Sequence, residues 1–257
     1  MNLTMPYKLA DLYQSPSQRA RIITEAWAAN EIYCPSCLNP SLAATPVNFK
    51  VIDYICNTCL SSYQLKSTKT GIGKTIPDGA YHTMINAIRE DQAPNLLLLH
   101  YHFPAWEVRN LVVISGFVFS EQAIIPRKAL SLTARRAGWI GCNIDLSRIA
   151  PETRIPVVLN GVVLSHSEVS EKYLKLKSLA EVKPLDRGWT LAVLNVIQSR
   201  GWKEFATRDI YEFELQFGKM FPMNKNIRPK LRQQLQILRD LGFLIHPEKG
   251  IWKPIQC

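Results

Sequence analysis

The chain has 257 residues, of which 47% are hydrophobic and 20% charged, a globular composition that can supply the core of one large domain or two unequal ones. No stretch approaches the roughly 20 apolar residues of a membrane span, and the N-terminus lacks a basic region followed by an apolar run, so we predict a soluble, cytoplasmic protein. The net charge of +10 and the pI near 9.4 favour an anionic partner such as nucleic acid.

The first part of the chain carries both helical and strand-like patterns. Ser15-Pro16-Ser17-Gln18 has the residues of a capping box, and apolar residues at helical spacing follow it, which predicts a first helix from about Pro16 to Asn30. Strand-like runs lie at residues 47–55, 63–67, 95–102, 111–119 and 154–164, and a helical segment lies at 78–90. This order of elements predicts a mixed α/β domain.

Four of the six cysteines form two Cys-x-x-Cys pairs, Cys34/Cys37 and Cys56/Cys59, separated by 18 residues. Each pair can direct two thiolates at one ion, and a tetrahedral zinc ion needs two such pairs. Disulfides are the alternative, but they are rare in the reducing compartment expected for this chain. We therefore predict a structural zinc site. Cys142 and Cys257 are expected to be a core residue and a terminal bystander.

A candidate catalytic pattern surrounds the second cysteine pair. Asp53 lies near the end of one predicted strand, and Gln64-Leu65-Lys66 lies in the next. In the PD-(D/E)XK nuclease fold such a hairpin carries two carboxylates that hold magnesium and a lysine that positions water and offsets phosphate charge. Short strings of this kind often arise by chance. Here zinc would close the turn between the two strands, so the cysteines would stabilise the hairpin that carries the acid and the lysine.

A basic stretch without acids contains a tryptophan flanked by glycines. Arg135 and Arg136 precede Trp139, and Gly138 and Gly141 lie on either side of it. Since glycine permits sharp turns, we expect Trp139 on a loop beside the two arginines, where it could stack on bases or wedge between them. A core tryptophan is the alternative, and the stretch alone leaves the two readings open.

The pattern after Gly188 predicts three helices followed by a hairpin. The helices are expected at 189–199, 207–220 and 227–241, and the hairpin at 243–254. This is the outline of a winged helix, a relative of the helix-turn-helix. The polar stretch 165–187 is predicted to link the two parts.

The third helix of this second part is amphipathic and basic. Its apolar residues repeat every three to four positions, which leaves Arg228, Arg232, Gln233, Gln236 and Arg239 on the outer face. Arginine and glutamine read guanine and adenine edges in the major groove. A solvated basic helix is the alternative, but its position before the wing favours DNA readout, for which we select the first four residues.

Seven segments together resemble one protein family. They are "SQRARIITEAW", "YCPSC", "DYICNTC", "QLKS", "DGAYHTM", "TARRAGWIGCNID" and "IRPKLRQQLQILRD". They are similar to the DpnI family of methyl-directed type II restriction endonucleases over nearly the whole chain. The resemblance implies an α/β PD-(D/E)XK nuclease domain with an embedded four-cysteine zinc site, which we place at residues 1–182, and a C-terminal α+β winged helix at 183–257. Both would bind double-stranded GATC with adenine methylated on its exocyclic amine; we expect a monomer.

The resemblance also assigns the candidate catalytic residues. Asp53 and Lys66 match the family's catalytic aspartate and lysine, and Asp53, Gln64 and Leu65 would bind magnesium. Gln64 stands where the family usually has glutamate. A glutamine carbonyl can coordinate magnesium but brings no charge, so metal affinity should fall. Glu25 on the first helix could supply a compensating carboxylate; an ordinary surface glutamate is the alternative.

Trp139 matches the tryptophan of the family's "RAGW" loop, which lies close to the methylated adenines. A methyl group is sensed mainly by apolar contact, worth about 1 kcal/mol for each methyl buried. Arg135 and Arg136 would then bind phosphate or guanine.

The segment "TGIGKT" is not a phosphate-binding loop for nucleotide triphosphates. That pattern requires glycine where Thr68 stands, and Pro77 prevents a helix directly after Lys74. Two classes of function remain: a magnesium-dependent endonuclease for adenine-methylated DNA, and a reader of methylated DNA that cuts it weakly or not at all, in which Gln64 records the loss of cleavage.

Overall fold

The computed structural model describes residues 1–46 and 52–255. Its first region contains α1 (Pro16–Glu31), β1 (Ala43–Ala44), β2 (Tyr54–Ile55), β3 (Ser62–Thr68), β4 (Thr75–Ala80), α2 (Tyr81–Arg89), β5 (Asn95–His102), β6 (Glu107–Ile114), β7 (Ile124–Pro126), β8 (Gly141–Asp145), β9 (Arg154–Leu159), β10 (Val162–Val163) and α3 (His166–Lys177). The second contains α4 (Pro184–Arg200), β11 (Phe205–Ala206), α5 (Thr207–Tyr211), α6 (Glu214–Met220), α7 (Ile227–Asp240), β12 (Leu244–Glu248) and β13 (Ile251–Pro254). Within the described residues no helix is long and apolar enough to cross a membrane.

The main sheet has the order β1-β2-β3-β5-β6-β9-β10 in the described part of the chain. Only β3 and β5 among these neighbours run parallel, and the chain between them forms β4 and α2. Such a parallel pair requires a long crossover. Leu96 to Leu99 on β5 are at most 2% exposed, as expected for a continuous apolar strand covered on both faces. The predicted α/β class of the first region is confirmed.

A second, antiparallel sheet with the order β4-β8-β7 was not predicted. Its strands are short, and β4 contains Pro77 and Gly79, residues that are rare in strands. Asp78 on β4 pairs with Cys142 on β8. Cys142 is fully buried, which confirms its predicted place in the core, whereas Cys257 lies outside the described residues.

Some local predictions were wrong. The first helix begins at Pro16 as expected, but the Ser15 side chain makes no capping hydrogen bond to the helix. A complete capping box instead occurs at Ser165 and Glu168, which begins α3 in the polar stretch expected to be a linker. Its buried residues, Val169, Tyr173 and Leu176, explain why this stretch folds on the first region. Residues 47–51 of the predicted strand at 47–55 lie outside the described part, and β2 is its end.

The second region is a winged helix, as predicted. The expected helix at 207–220 is interrupted at Glu212 and Phe213, which separate α5 from α6. β11 joins the hairpin to give the sheet order β11-β13-β12. The predicted inner face of α7 is confirmed, because Leu231, Leu235 and Leu238 are completely buried.

Candidate functional site

The four paired cysteines lie on two loops of the same backbone form. In one, the N–H of Leu38 donates to the carbonyl of Cys34; in the other, the N–H of Leu60 donates to the carbonyl of Cys56, both at 2.8 Å. Leu38 and Leu60 both have a φ of 60°, an uncommon conformation for a branched residue. The repeated turn brings the two cysteines of each pair close enough to share one ion.

The sulfur atoms of the two loops form one cluster. All four Sγ atoms lie within 4.8 Å of one another. The distances from Cys34 to Cys59 and from Cys37 to Cys56 are both 3.5 Å. Tetrahedral zinc with Zn–S bonds of about 2.3 Å places its sulfurs about 3.8 Å apart. The cluster therefore fits a four-thiolate zinc ion, and none of these four cysteines forms a disulfide.

The surroundings of the cluster suit thiolates. Against the effect of burial, hydrogen bonds from the backbone N–H groups of Cys59 and Thr58 lower the pKa of Cys56 to about 6. Burial raises the pKa of Cys34 to about 12, so this thiol would need a bound cation to ionise at neutral pH. The Tyr63 hydroxyl lies 3.1 Å from the Cys34 sulfur. Since Tyr63 lies on β3, the cluster is tied directly to the strand that carries Gln64 and Lys66.

Asp53 is fixed against β3 by two hydrogen bonds. Its N–H donates to the carbonyl of Tyr63, and its Oδ2 accepts from the N–H of Leu65, both at 2.8 Å. Asp53 directly precedes β2, whose Tyr54 pairs with Tyr63 on β3. The Asp53 carboxylate therefore lies against the backbone of β3 at Leu65, the residue that follows Gln64. Carboxylate and carbonyl oxygens suit magnesium.

Lys66 lies two residues after Gln64 and therefore on the same face of β3. Its Nζ atom lies 2.8 Å from the Oδ1 atom of Asp78. The Asp78 side chain is 1% exposed and that of Lys66 is 26% exposed. The sequence reading missed Asp78 because its strand was missed. Ile76 and Asp78 are the buried residues of that strand, and the pairing of β4 with the distant β8 is what makes it a strand.

Glu25 shares a cleft of about 440 Å³ with Asp53, Thr45 and Tyr54. Arg21, one turn earlier on α1, donates from Nε to Glu25 at 2.7 Å. This hydrogen bond raises the pKa of Arg21, and the charge of Asp53 adds to the effect. Glu25 is therefore near the candidate catalytic residues, as the compensating role requires, but its carboxylate is already paired with a cation.

Trp139 lies on the loop between β7 and β8, half-buried rather than in the core. Gly138 before it has a φ of 75°, which gives the sharp turn expected there. The guanidinium of Arg136 lies 5.1 Å from the indole ring centre, and that of Arg127 lies 5.7 Å away. Arg135 is exposed beside them. The loop therefore presents an aromatic ring among cations, and Arg127 was not among the residues selected from the sequence.

The outer face of α7 carries the four selected residues, and all four are exposed. Arg228 donates to Glu214 on α6 at 2.7 Å and lies over the Tyr211 ring. Arg232, Gln233 and Gln236 make no side-chain hydrogen bond or ion pair with any other residue that the structure describes. Gln234, in contrast, is buried and accepts a hydrogen bond of 2.6 Å from Thr190 on α4.

Two family models match the sequence. The model of the Dam-replacing family, DpnI, matches residues 1–182, which is more than half of the chain. The model of the Dam-replacing HTH domain matches residues 185–254. The cysteine cluster, Asp53, Lys66 and the Trp139 loop lie within the first match, and α7 lies within the second.

Proposed function

Because the chain belongs to the DpnI, or Dam-replacing, family, we propose that it is a methyl-directed endonuclease that hydrolyses double-stranded DNA at adenine-methylated GATC sites with magnesium. Methyl-directed DNA cleavage is the activity that membership of this family implies. The observation that carries the finer proposal is the hydrogen bond of the Asp53 carboxylate to β3, the strand that carries Gln64 and Lys66.

The residues of this chain would share the work as follows. The carboxylate of Asp53, the side-chain carbonyl of Gln64 and the main-chain carbonyl of Leu65 would hold magnesium, which would polarise the scissile phosphate and activate water. The hydrogen bond from the Leu65 N–H keeps the Asp53 carboxylate oriented before DNA arrives. The Lys66 ammonium would position the attacking water and offset negative charge that develops on the phosphate.

Recognition would involve both regions. Trp139 would contact the adenine methyl groups, while Arg135 and Arg136 would bind phosphate or guanine. On α7, Arg232, Gln233 and Gln236 would read base edges, since they are exposed and not committed to other side chains. Arg228 would have to exchange Glu214 for DNA. We assign cleavage to residues 1–182 and a second reading of the same target to 183–257.

A second function is supported by Gln64 itself. A neutral amide at a magnesium ligand position weakens the metal site, so the chain would then bind methylated DNA without cutting it, or cut it weakly. The two functions share the same recognition surfaces and differ only at the centre formed by Asp53, Gln64 and Lys66.

Matched methylated and unmethylated plasmids distinguish the two functions. We expect purified protein with magnesium to cut the methylated plasmid and leave the unmethylated one intact. Replacing magnesium by calcium, rather than adding a chelator, avoids removing zinc and should stop cleavage while preserving binding. Binding of methylated DNA without cleavage at any magnesium concentration would establish the reader, and neither binding nor cleavage would overturn both functions.

A further inference from the structure

A buried acid lies directly behind the candidate catalytic lysine. The Asp78 carboxylate is 1% exposed, and its Oδ1 atom lies 2.8 Å from Lys66 Nζ. Among the described residues Lys66 is the one cation that forms an ion pair with it. A buried carboxylate without a counter-charge is strongly unfavourable. The pair therefore constrains a side chain that would otherwise sample many rotamers.

The same acid is connected to the Trp139 loop through Arg127. The guanidinium of Arg127 donates from Nη2 to the backbone carbonyl of Asp78 at 3.1 Å. It also lies 5.7 Å from the Trp139 ring centre. A side chain at Gly141 would place its Cβ atom 2.2 Å from Arg127 Nη2, so glycine there keeps room for the guanidinium. A continuous set of contacts thus runs from Trp139 through Arg127 and Asp78 to Lys66.

We propose that Asp78 is the positioning residue for Lys66. Arg127 links this pair to the Trp139 loop, so that target recognition supports cleavage. This inference rests on the proposed function, because it assumes that Lys66 acts at the scissile phosphate. Asp78 itself touches neither substrate nor metal in this scheme. It sets the direction of the lysine, and small errors of placement near a reacting centre are costly.

The test is a double-mutant cycle on single-turnover cleavage of methylated DNA at saturating protein. Asp78→Asn should lower the rate constant by about 10- to 100-fold while affinity for the methylated duplex is kept. In a Lys66→Ala background the same substitution should have no further effect, since its action passes through the lysine. Asp145→Asn, on β8 of the same sheet, is the matched control and should cut like wild type.

Further measurements separate positioning from damage to the fold. Removing Lys66 alone leaves the Asp78 charge buried and unpaired, so Lys66→Ala should unfold at a lower temperature than the wild type. Adding Asp78→Asn removes that charge and should raise the unfolding temperature again. Arg127→Met should lower the saturated rate constant, whereas Arg136→Met, which leaves Asp78 untouched, should weaken DNA binding. If Asp78→Asn and Lys66→Ala lower the cleavage rate by independent factors, or if Asp78→Asn cuts at the wild-type rate, the inference is overturned and the proposed function stands. A wild-type protein that cannot cut would overturn the proposed function and the inference with it.

Discussion

Around β3 the charged side chains are fixed by partners within the fold, whereas on α7 three outward side chains, Arg232, Gln233 and Gln236, extend into solvent. Asp53 accepts from the Leu65 N–H, and Lys66 is paired with buried Asp78. Arg232 and Gln233 have no side-chain partner among the described residues. Catalytic groups act best when their geometry is set before substrate binds, while groups that read bases need free donors and acceptors. Under the proposed function, the residues around β3 would cleave the DNA and the exposed residues of α7 would read its bases.

Gln64 and Arg228 are exceptions: Gln64 has no side-chain partner among the described residues although it lies on β3, and Arg228 has one although it lies on α7. Arg228 lies on the outer face of α7, but it is paired with Glu214. The contrast therefore predicts that Gln64 gains a partner when metal binds, and that Arg228 contributes less to DNA affinity than Arg232 does.

The largest expected effect is the loss of cleavage when Asp53 or Lys66 is replaced. Asp53→Ala and Lys66→Ala should each lower the cleavage rate by about 1,000-fold or more, because each removes a group that acts on the reacting phosphate. Affinity for methylated DNA should change little, since the reading surfaces are untouched. Single-turnover cleavage and gel-shift titrations on the same DNA measure the two. Lys177→Ala, which changes an exposed lysine on α3, is the control. If Asp53→Ala or Lys66→Ala reduces binding as much as cleavage, the assignment of these residues to cleavage alone is wrong.

The next effect concerns the zinc cluster. One zinc per chain is expected by elemental analysis, and Cys56→Ser should lower the free energy of unfolding of the first region by at least about 3 kcal/mol, because a ligand of the metal is lost. Cys142→Ala changes a buried cysteine outside the cluster, so this variant should still contain one zinc per chain. A metal-free wild-type protein that is fully stable would show that the four thiols are packed without an ion.

The elements that the sequence predicted well have long and simple patterns. The leucine run of β5 and the apolar repeat of α7 each indicate one structure, and the spacing of the cysteines predicted a cluster that the fold does assemble. The contact of Asp53 with β3 follows from a hairpin that joins residues close in sequence.

The features that the sequence did not predict depend on contacts between distant segments. β4 contains Pro77 and Gly79, which are rare in strands, and its last three residues were assigned to the helix predicted at 78–90. It becomes a strand through pairing with β8, some sixty residues later. The approach of Asp78 to Lys66 follows from that pairing and has no local signal. The stretch 165–187 is polar because most of its residues face solvent, but three buried residues are enough to hold α3 on the first region.

A smaller effect, on DNA affinity, is expected from substitutions on α7. Arg232→Ala with Gln233→Ala should weaken binding of methylated DNA by roughly 30-fold or more, since two bidentate base contacts at about 1–3 kcal/mol each contribute at least about 2 kcal/mol. Arg239→Ala is the control, because this arginine is exposed on the same helix but paired with Asp240 at 2.7 Å. Gel-shift titrations at one fixed salt concentration give the comparison. An unchanged affinity in the double variant would assign base readout to another surface.

The smallest and most informative effect is expected at Gln64. Gln64→Glu adds a negative charge beside Asp53, and a carboxylate binds magnesium more tightly than an amide does. The magnesium concentration for half-maximal cleavage should therefore fall by about tenfold, which corresponds to about 1.4 kcal/mol. If Glu25 already supplies the missing charge, the added carboxylate would instead slow the enzyme by repulsion, and Glu25→Gln would raise the magnesium requirement. Since Glu25 is paired with Arg21, we expect Glu25→Gln to have the smaller effect of the two. Cleavage rates measured against magnesium concentration for the wild type and both variants decide between the two assignments, and cleavage that appears only in Gln64→Glu would identify the wild type as a reader.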